Sequence, residues 1–438
     1  MKQLIFLIFL IKYSLEEGTF KRSQRSKHGE DCVSDSACEE GFLCKLNRCM
    51  TKYEAKNFKS LGLFDKNICG LKKNCTINKI CVKHRCVDNQ TEIEPERNNN
   101  TENENDVNLL FAGGILLNRK ALMSGIGANN IFNYDHLFTH ISKDIKNANL
   151  AIVDQETPFH IDPSEKSFPK KGLNTPKEIA DSIVNAGFKV VLHGTDYSYS
   201  KKDKGINNTL NYWKTKFPSI KTLGISSTLE ESEKDYFIYK QQNMAIGIIN
   251  FSGLVSKSIP KQNKFMVNSL TTEKLAVIDK LKKETDFLIV CINWGSKDSK
   301  NPTKKQITNA KLLASHGVDL IIGNHPIFVN PVSYVRADNG KKALVFWSLG
   351  LLVGDEKKSF SNLGALANIV ISKGKGNAYL SSYSLIPIIN HKVESNEFSV
   401  YKLSDYKEEL GLKMDKKFSL KKVKEACVKM MGEFATCD

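Results

Sequence analysis

The chain has 438 residues, of which 41% are hydrophobic and 26% charged, a balance that excludes wholesale disorder and leaves room for two or three domains. No apolar run reaches the roughly 20 residues that cross a bilayer, which sets aside a polytopic membrane protein. Net charge is +16, but the lysines are scattered and no nucleic-acid-binding motif accompanies them, so nucleic acid is not an expected partner.

The N-terminus reads MKQLIFLIFLIK, one early lysine before an apolar stretch from Leu4 to Ile11. This is the shape of a secretory signal peptide, assigned to residues 1–18, with an uncleaved anchor as the alternative. Its removal leaves no spanning segment, and a secreted, extracellular protein is expected. Cysteine use agrees. Cys32, Cys38, Cys44 and Cys49 are separated by five, five and four residues, and Cys69, Cys75, Cys81 and Cys86 repeat those spacings. A tandem repeat this small (31–87) cannot bury a sufficient core and needs staples, so two bridges per repeat are expected, with connectivity open. Zinc is the rival reading, disfavoured because its ligand pairs are spaced by roughly two to four residues.

Residues 88–106, DNQTEIEPERNNNTENEND, form an acidic, asparagine-rich linker. Asn89 and Asn99 there, and Asn207 and Asn250 later, stand in glycosylation sequons. From residue 107 the texture changes. Apolar runs suited to buried strands occupy 109–117, 150–153, 189–193, 244–250, 287–293, 320–323 and 344–349. Helical patterns lie between them at 176–186, with Thr175 as N-cap and Gly187 behind, at 272–284, and at 304–316, closed by Gly317. The alternation argues an α/β domain with a largely parallel or mixed sheet over 107–390. A Lys-rich, helix-prone tail follows at 391–438. Cys427 and Cys437 are the pair expected to bridge there, which leaves Cys291 in an apolar strand as core packing.

In open α/β sheets, ligand-handling residues sit just past the carboxyl ends of strands. Those points carry Gly113-Gly114, Asp154-Gln155-Glu156-Thr157-Pro158, His193-Gly194-Thr195-Asp196, Asn293-Trp294-Gly295, Gly323-Asn324-His325-Pro326 and Trp347-Ser348-Leu349-Gly350. Asp154, Glu156, Asp196, Asn293, Asn324 and His325 are donors of the kind divalent metals accept. His193 reads as structural. Trp294 and Trp347 read as core beneath the loops, with stacking on a sugar as the alternative.

The order of these loops resembles the bacterial capsule-synthesis family of CapA type, associated with poly-γ-glutamate and similar in fold to calcineurin-like metallophosphoesterases. That family's pattern runs Gly-Asp, Asn-x-Glu-Thr, Asn-Asn-His, His-Trp-Gly-Glu, Gly-x-His-Pro-His and Tyr-Ser-Leu-Gly-Asn. Here Gly114 stands where the aspartate belongs, and Asp154 and Glu156 match the second loop. Gly194-Thr195-Asp196 replaces the triplet, and Asn293 replaces a histidine. His325 is kept while Ile327 replaces the second histidine, and Leu351 stands at the final asparagine.

The resemblance covers roughly residues 107–387. It implies a metallophosphoesterase-like layered α/β sandwich, preceded here by the disulfide-rich repeat. It also implies a two-metal centre, several of whose donors this chain lacks. Asp154, Glu156, Asp196, Asn293 and His325 are the candidate residual ligands, with room for one divalent ion and no other cofactor. Two readings follow. In the first, a secreted protein with a catalytically degenerate domain binds an anionic polymer, a glycan or a cell-surface ligand. In the second, it is a secreted metal-dependent hydrolase or amide-forming enzyme acting on a polyanion such as poly-γ-glutamate, or on a phosphoester. The lost donors favour the first.

Overall fold

The computed structural model describes residues 42–45, 48–51, 79–82, 85–88 and 106–437, apart from 118, 128–131, 161–174, 255–258, 355–357, 375 and 394–396. The signal-like segment, Cys32, Cys38, Cys69, Cys75, Asn89, Asn99 and the linker between 89 and 105 lie outside the described residues. The chain divides into two units, Met1–Asn100 and Thr101–Asp438. In the first, Phe42–Lys45 pairs with Arg48–Thr51, and Lys79–Val82 with Arg85–Asp88, as two antiparallel hairpins. Cys44 stands opposite Cys49 in one and Cys81 opposite Cys86 in the other. The sequence repeat is thus also a repeat of backbone.

The second unit is built on two mixed sheets. Its strands are β1 (Asp106–Ile115), β2 (Leu150–Gln155), β3 (Val190–Leu192), β4 (Lys221–Leu223), β5 (Tyr236–Gln241), β6 (Met244–Ser252) and β7 (Phe287–Asn293). Then come β8 (Leu320–Asn324), β9 (Val329–Arg336), β10 (Lys342–Leu349), β11 (Leu351–Val353), β12 (Leu363–Lys373), β13 (Ala378–Lys392) and β14 (Phe398–Lys402). The first sheet has the order β4-β3-β2-β1-β12-β13-β14, with β11 also paired to β1. Its strands β1 to β4 run parallel, and β12 to β14 join antiparallel. The second has the order β5-β6-β7-β8-β10-β9, parallel at the centre and antiparallel at both edges.

Period-2 alternation explains the layering. In β2, Leu150 and Ile152 enter one buried cluster, Ala151 and Val153 another. In β7, Phe287, Ile289 and Cys291 enter that same shared cluster, while Leu288, Val290 and Ile292 face the other way. The shared cluster lies between the sheets. The outer faces are covered by helices: α1 (Ile179–Ala186) and α2 (Lys202–Lys216) on the first sheet, α3 (Thr272–Glu284) and α4 (Lys304–Ser315) on the second. The result is an α/β/β/α sandwich.

Helix α3 has the expected bounds. Helix α4 opens with a capping box between Thr303 and Gln306, and Gly317 follows it at φ +85°. The helix expected from 176 begins instead at Ile179. Thr175–Pro176 pairs with Phe159–His160, and the Thr175 hydroxyl is engaged with that of Thr157 at 2.6 Å, so it does not cap. The boundary drawn at 390 falls inside β13. Beyond it, β14 extends the first sheet, and α5 (Leu420–Met431) sends Val423, Cys427 and Met431 into the inter-sheet cluster. A disulfide joins Cys427 to Cys437, and Cys291 is buried and free. Asn207 is exposed on α2, but Asn250 is buried with its amide engaged on both sides, so its sequon is closed in the folded chain. Among the described residues, no helix is long and apolar enough to cross a membrane.

Candidate functional site

The inward stripe of each parallel strand is apolar through the core and changes character at the carboxyl end. In β2, Leu150 and Ile152 give way to Asp154 and, just past the strand, Glu156. In β6, Ile246 and Ile248 give way to Asn250 and Ser252. In β7, Ile289 and Cys291 are followed by Asn293, and in β8, Leu320 and Ile322 by Asn324. On β1 a register shift after Phe111 brings Gly114, not Gly113, opposite Asp154. The periodicity that packs the core therefore closes one end of it with buried polar side chains.

These side chains meet. Asn293 Nδ2 donates to Asp154 Oδ2 at 3.4 Å, and the Asn324 side chain hydrogen-bonds the same carboxyl group. The Asp196 backbone N–H donates to Asn293 Oδ1 at 3.2 Å. His325 lies within electrostatic reach of Asp196 and Lys297, which act on its imidazole in opposite directions; burial is the larger influence and holds its pKa down. Burial likewise pushes the Asp154 carboxyl well above the usual carboxylate range, against the pull of the two asparagines. Glu156 reaches toward β1, where a Cβ added to Gly114 would stand 2.1 Å from its Oε1. All five sequence-predicted residues thus gather at one place. Asn324, left out of that final set, belongs with them, and the inward stripe of β8 was the signal for it.

Three buried polar atoms of this cluster, Asp154 Oδ1, Asn324 Oδ1 and His325 Nδ1, have no hydrogen-bond partner among the described residues. His325 also holds φ +94°, a conformation non-glycine residues rarely adopt. The loop behind it is tied down by Ile327 N–H to the Lys297 carbonyl (2.8 Å) and by the Ser348 hydroxyl to the Pro326 carbonyl (2.9 Å).

Other residues near the strand ends serve the scaffold. His193 accepts from Trp213 Nε1 at 2.9 Å and bonds the Gln155 backbone, and burial holds its pKa down to about 3. It is a neutral, structural imidazole. Trp294 and Trp347 are buried and stacked on each other at 5.6 Å; their indole N–H groups donate to the Trp347 carbonyl and the Ser333 hydroxyl. Neither ring is presented to a sugar. Burial, then the charge of Asp154, pushes the Cys291 thiol up, which keeps it an unreactive core residue.

A two-ion centre does not fit these residues. Among the described residues, no group of three or more His, Cys, Asp or Glu is arranged to hold an ion. Gly114 supplies no side chain. Ile327, in the place of the second histidine, packs with Phe328 and Leu351 in an apolar cluster flanked by Leu116 and Met430. What remains is a buried polar cluster rich in side-chain oxygens, held together in part by hydrogen bonds among its own members.

Compared with known families, the chain matches the one described as Bacterial capsule synthesis protein PGA_cap over residues 108–356. The chain belongs to the PGA_cap family. Its relatives include the PGA biosynthesis protein CapA of Bacillus subtilis (strain 168), 23% identical over 268 residues, 60% of this chain and 67% of that one. The capsule biosynthesis protein CapA of Bacillus anthracis is 23% identical over 242 residues, 52% of this chain and 56% of that one. The chain therefore spans only part, between 56% and 67%, of these two relatives' own length. Similar solved structures include the calcineurin-like phosphoesterase YfkN from Bacillus subtilis, with 12% identity, 74% and 98% coverage of this and that chain, and a TM-score of 0.39. A novel phosphatase from Mycoplasma pneumoniae has 11% identity, 65% and 94% coverage, and a TM-score of 0.39. The PGA_cap match takes in every candidate site residue. The cysteine hairpins precede the matched segment and the disulfide-closed α5 follows it.

Proposed function

We propose that this PGA_cap chain is an exported protein whose domain binds an anionic polymer of the poly-γ-glutamate kind without turning it over. The observation that carries the reading is the replacement of metal donors at both flanks of the pocket: Glu156 fills the side-chain space of Gly114, and Ile327 is sealed among apolar neighbours. Export is supported by the Cys427–Cys437 bridge together with the signal-like N-terminus and the eight-cysteine repeat. A polyanion is supported by the net charge of +16 and by lysines on the loops beside the pocket. Lys297 acts electrostatically on His325, Lys300 lies 4.8 Å from the centre of the Phe328 ring, and Lys358 pairs with Asp298. The Bacillus subtilis relative is itself a PGA biosynthesis protein.

Calorimetric titration of the full chain with poly-γ-glutamate at increasing salt tests this. Binding that weakens with salt, while polymer length stays unchanged, is expected. No binding at low salt refutes it. Phosphoester hydrolysis, or a change of polymer length, that needs divalent metal and disappears in Glu156→Ala would establish the second reading, a metal-dependent hydrolase or amide-forming enzyme.

A further inference from the structure

The lysine-rich C-terminal segment carries an excess of positive charge that its folding does not explain. Between residues 413 and 429 stand seven lysines against two acidic residues. On α5, Val423, Cys427 and Met431 are buried in the inter-sheet cluster, while Lys421, Lys422 and Lys429 are exposed and Lys424 is half-buried. Glu425 is the single acidic residue of that outer face. Among the described residues, none of these four lysines has an ion pair or a side-chain hydrogen bond, whereas Lys216, Lys282, Lys373 and Lys402 each meet a carboxylate. Lys421 and Lys422 also fall in the first turn of α5, where the helix dipole disfavours cations. Helix stability is therefore no reason for them. The 3.6-residue period places Lys422, Ala426 and Met430 in line at four-residue steps, with Lys429 beside them. Met430 packs with Ile327 and Phe328, so this flank of α5 is the one turned toward the pocket loop. Lys300 Nζ lies 4.8 Å from the centre of the same Phe328 ring, and positive charge thus continues from the pocket rim to the helix. Burial of its inner face and the Cys427–Cys437 bridge hold α5 in place, so the outer lysines stand on a fixed backbone.

We propose that the flank of α5 carrying Lys422 and Lys429 is an accessory docking surface for a polycarboxylate chain, which runs from the pocket rim past Lys300 onto the helix. The inference rests on the polymer-binding reading and names a surface for it. Lys422 and Lys429 are seven residues apart, about 10 Å along the helix axis. A chain with a carboxylate on every unit meets both at once, and each added contact is then an intramolecular event. α5 lies beyond residues 108–356, the segment that matches the family, so this surface is separate from the polar cluster at the strand ends.

The test is calorimetric titration of the full, disulfide-intact chain with poly-γ-glutamate at low and at physiological salt. Lys422→Gln combined with Lys429→Gln keeps good helix formers at both positions. It should weaken binding roughly 10–30-fold, at about fivefold for each lysine beside an anionic surface, and make the salt dependence shallower. Lys280→Gln combined with Lys283→Gln removes the same charge from exposed positions of α3 and should stay within about twofold of wild type, since charges beyond a Debye length are screened. Thermal unfolding checks that each variant is folded; if the α5 double variant melts early, the single variants Lys422→Gln and Lys429→Gln decide, each expected to bind about fivefold more weakly. An α5 variant that binds as wild type, or that loses no more than the α3 variant, overturns this inference and leaves the polymer reading standing. A wild-type chain that binds no polymer removes both. Uptake on phosphatidylserine vesicles that depends on Lys422 and Lys429, without binding of the polymer, also overturns the proposal and makes α5 a membrane-facing helix.

Discussion

Ile327→His is the most direct way to give the pocket back a lost histidine, and the structure predicts that it fails. Ile327 is 1% exposed and packs with Phe328 and Leu351, flanked by Leu116 and Met430. Removing a fully buried isoleucine forfeits about 1.5–3 kcal/mol of apolar transfer. An imidazole left there without a partner adds about 1–3 kcal/mol of desolvation. The middle of the combined range is roughly 4 kcal/mol. The unit Thr101–Asp438 has roughly 340 residues, so its unfolding entropy is about 0.7 kcal/mol/K and Tm should fall by roughly 6 °C. Scanning calorimetry in EDTA reads the loss, and a Mn²⁺ titration of the same variant should show no additional ion. A variant that melts with wild type and takes up an extra ion would mean that residue 327 faces the pocket, and the reasoning here would be wrong.

Two buried groups should tilt the pH profile of stability in opposite directions. Burial pushes the Asp235 carboxyl up to about 7, although it accepts a 2.8 Å hydrogen bond from the Gly224 N–H. A carboxyl whose folded pKa is raised stays protonated in the folded chain after the unfolded chain has ionised, so stability falls as pH rises from about 4 to about 7. Asp235→Asn, whose amide oxygen keeps the Gly224 contact, should match wild type in urea melts near pH 4. It should gain up to about 4 kcal/mol above pH 7, and equal melts at pH 8 refute this. His193 has the opposite sign: its folded pKa is held down to about 3, so the unfolded chain takes up the proton first and stability drains as pH falls from about 6.5 toward 3. His193→Gln should flatten that acid limb in melts at pH 7, 5 and 4, and an unchanged limb argues against it. Cys427→Ser with Cys437→Ser opens a bridge of sequence separation 10 and should cost about 3 kcal/mol by denaturant titration, with a loss near zero counting against a stabilising role.

The central parallel strands were legible because each is buried on both faces and reads as a continuous apolar run. The antiparallel strands β5, β9, β13 and β14 were not, since they mix polar and apolar residues on partly exposed surfaces. β14 was absorbed into a supposed tail for that reason. The candidate site was legible in membership: Asp154, Glu156, Asp196, Asn293 and His325 all lie at carboxyl ends, and parallel strands bring such ends together whatever the side chains. Its internal arrangement was not legible. That Glu156 folds into the space of Gly114 depends on a register shift in β1, and what surrounds Ile327 depends on Met430, far along the chain. The Thr175 cap failed for a similar reason, its hydroxyl engaged by Thr157 across a two-residue pairing. The Asn250 sequon carries no trace of burial. Only the inward stripe of β6 reveals that its amide holds β3 to β6.

The packing of α5 has a practical consequence for any assay. Met430 leans on the Ile327 cluster directly behind His325, and Cys427, one turn earlier, is bonded to Cys437. The pocket loop is therefore braced by an element whose security depends on the redox state of its surroundings. Protein made in a reducing cytoplasm and studied without reoxidation would carry all the site residues in an unaltered sequence, yet with the brace behind His325 held by packing alone. Ligand uptake by such a preparation is therefore to be compared with that of the oxidised chain before it is ascribed to the pocket.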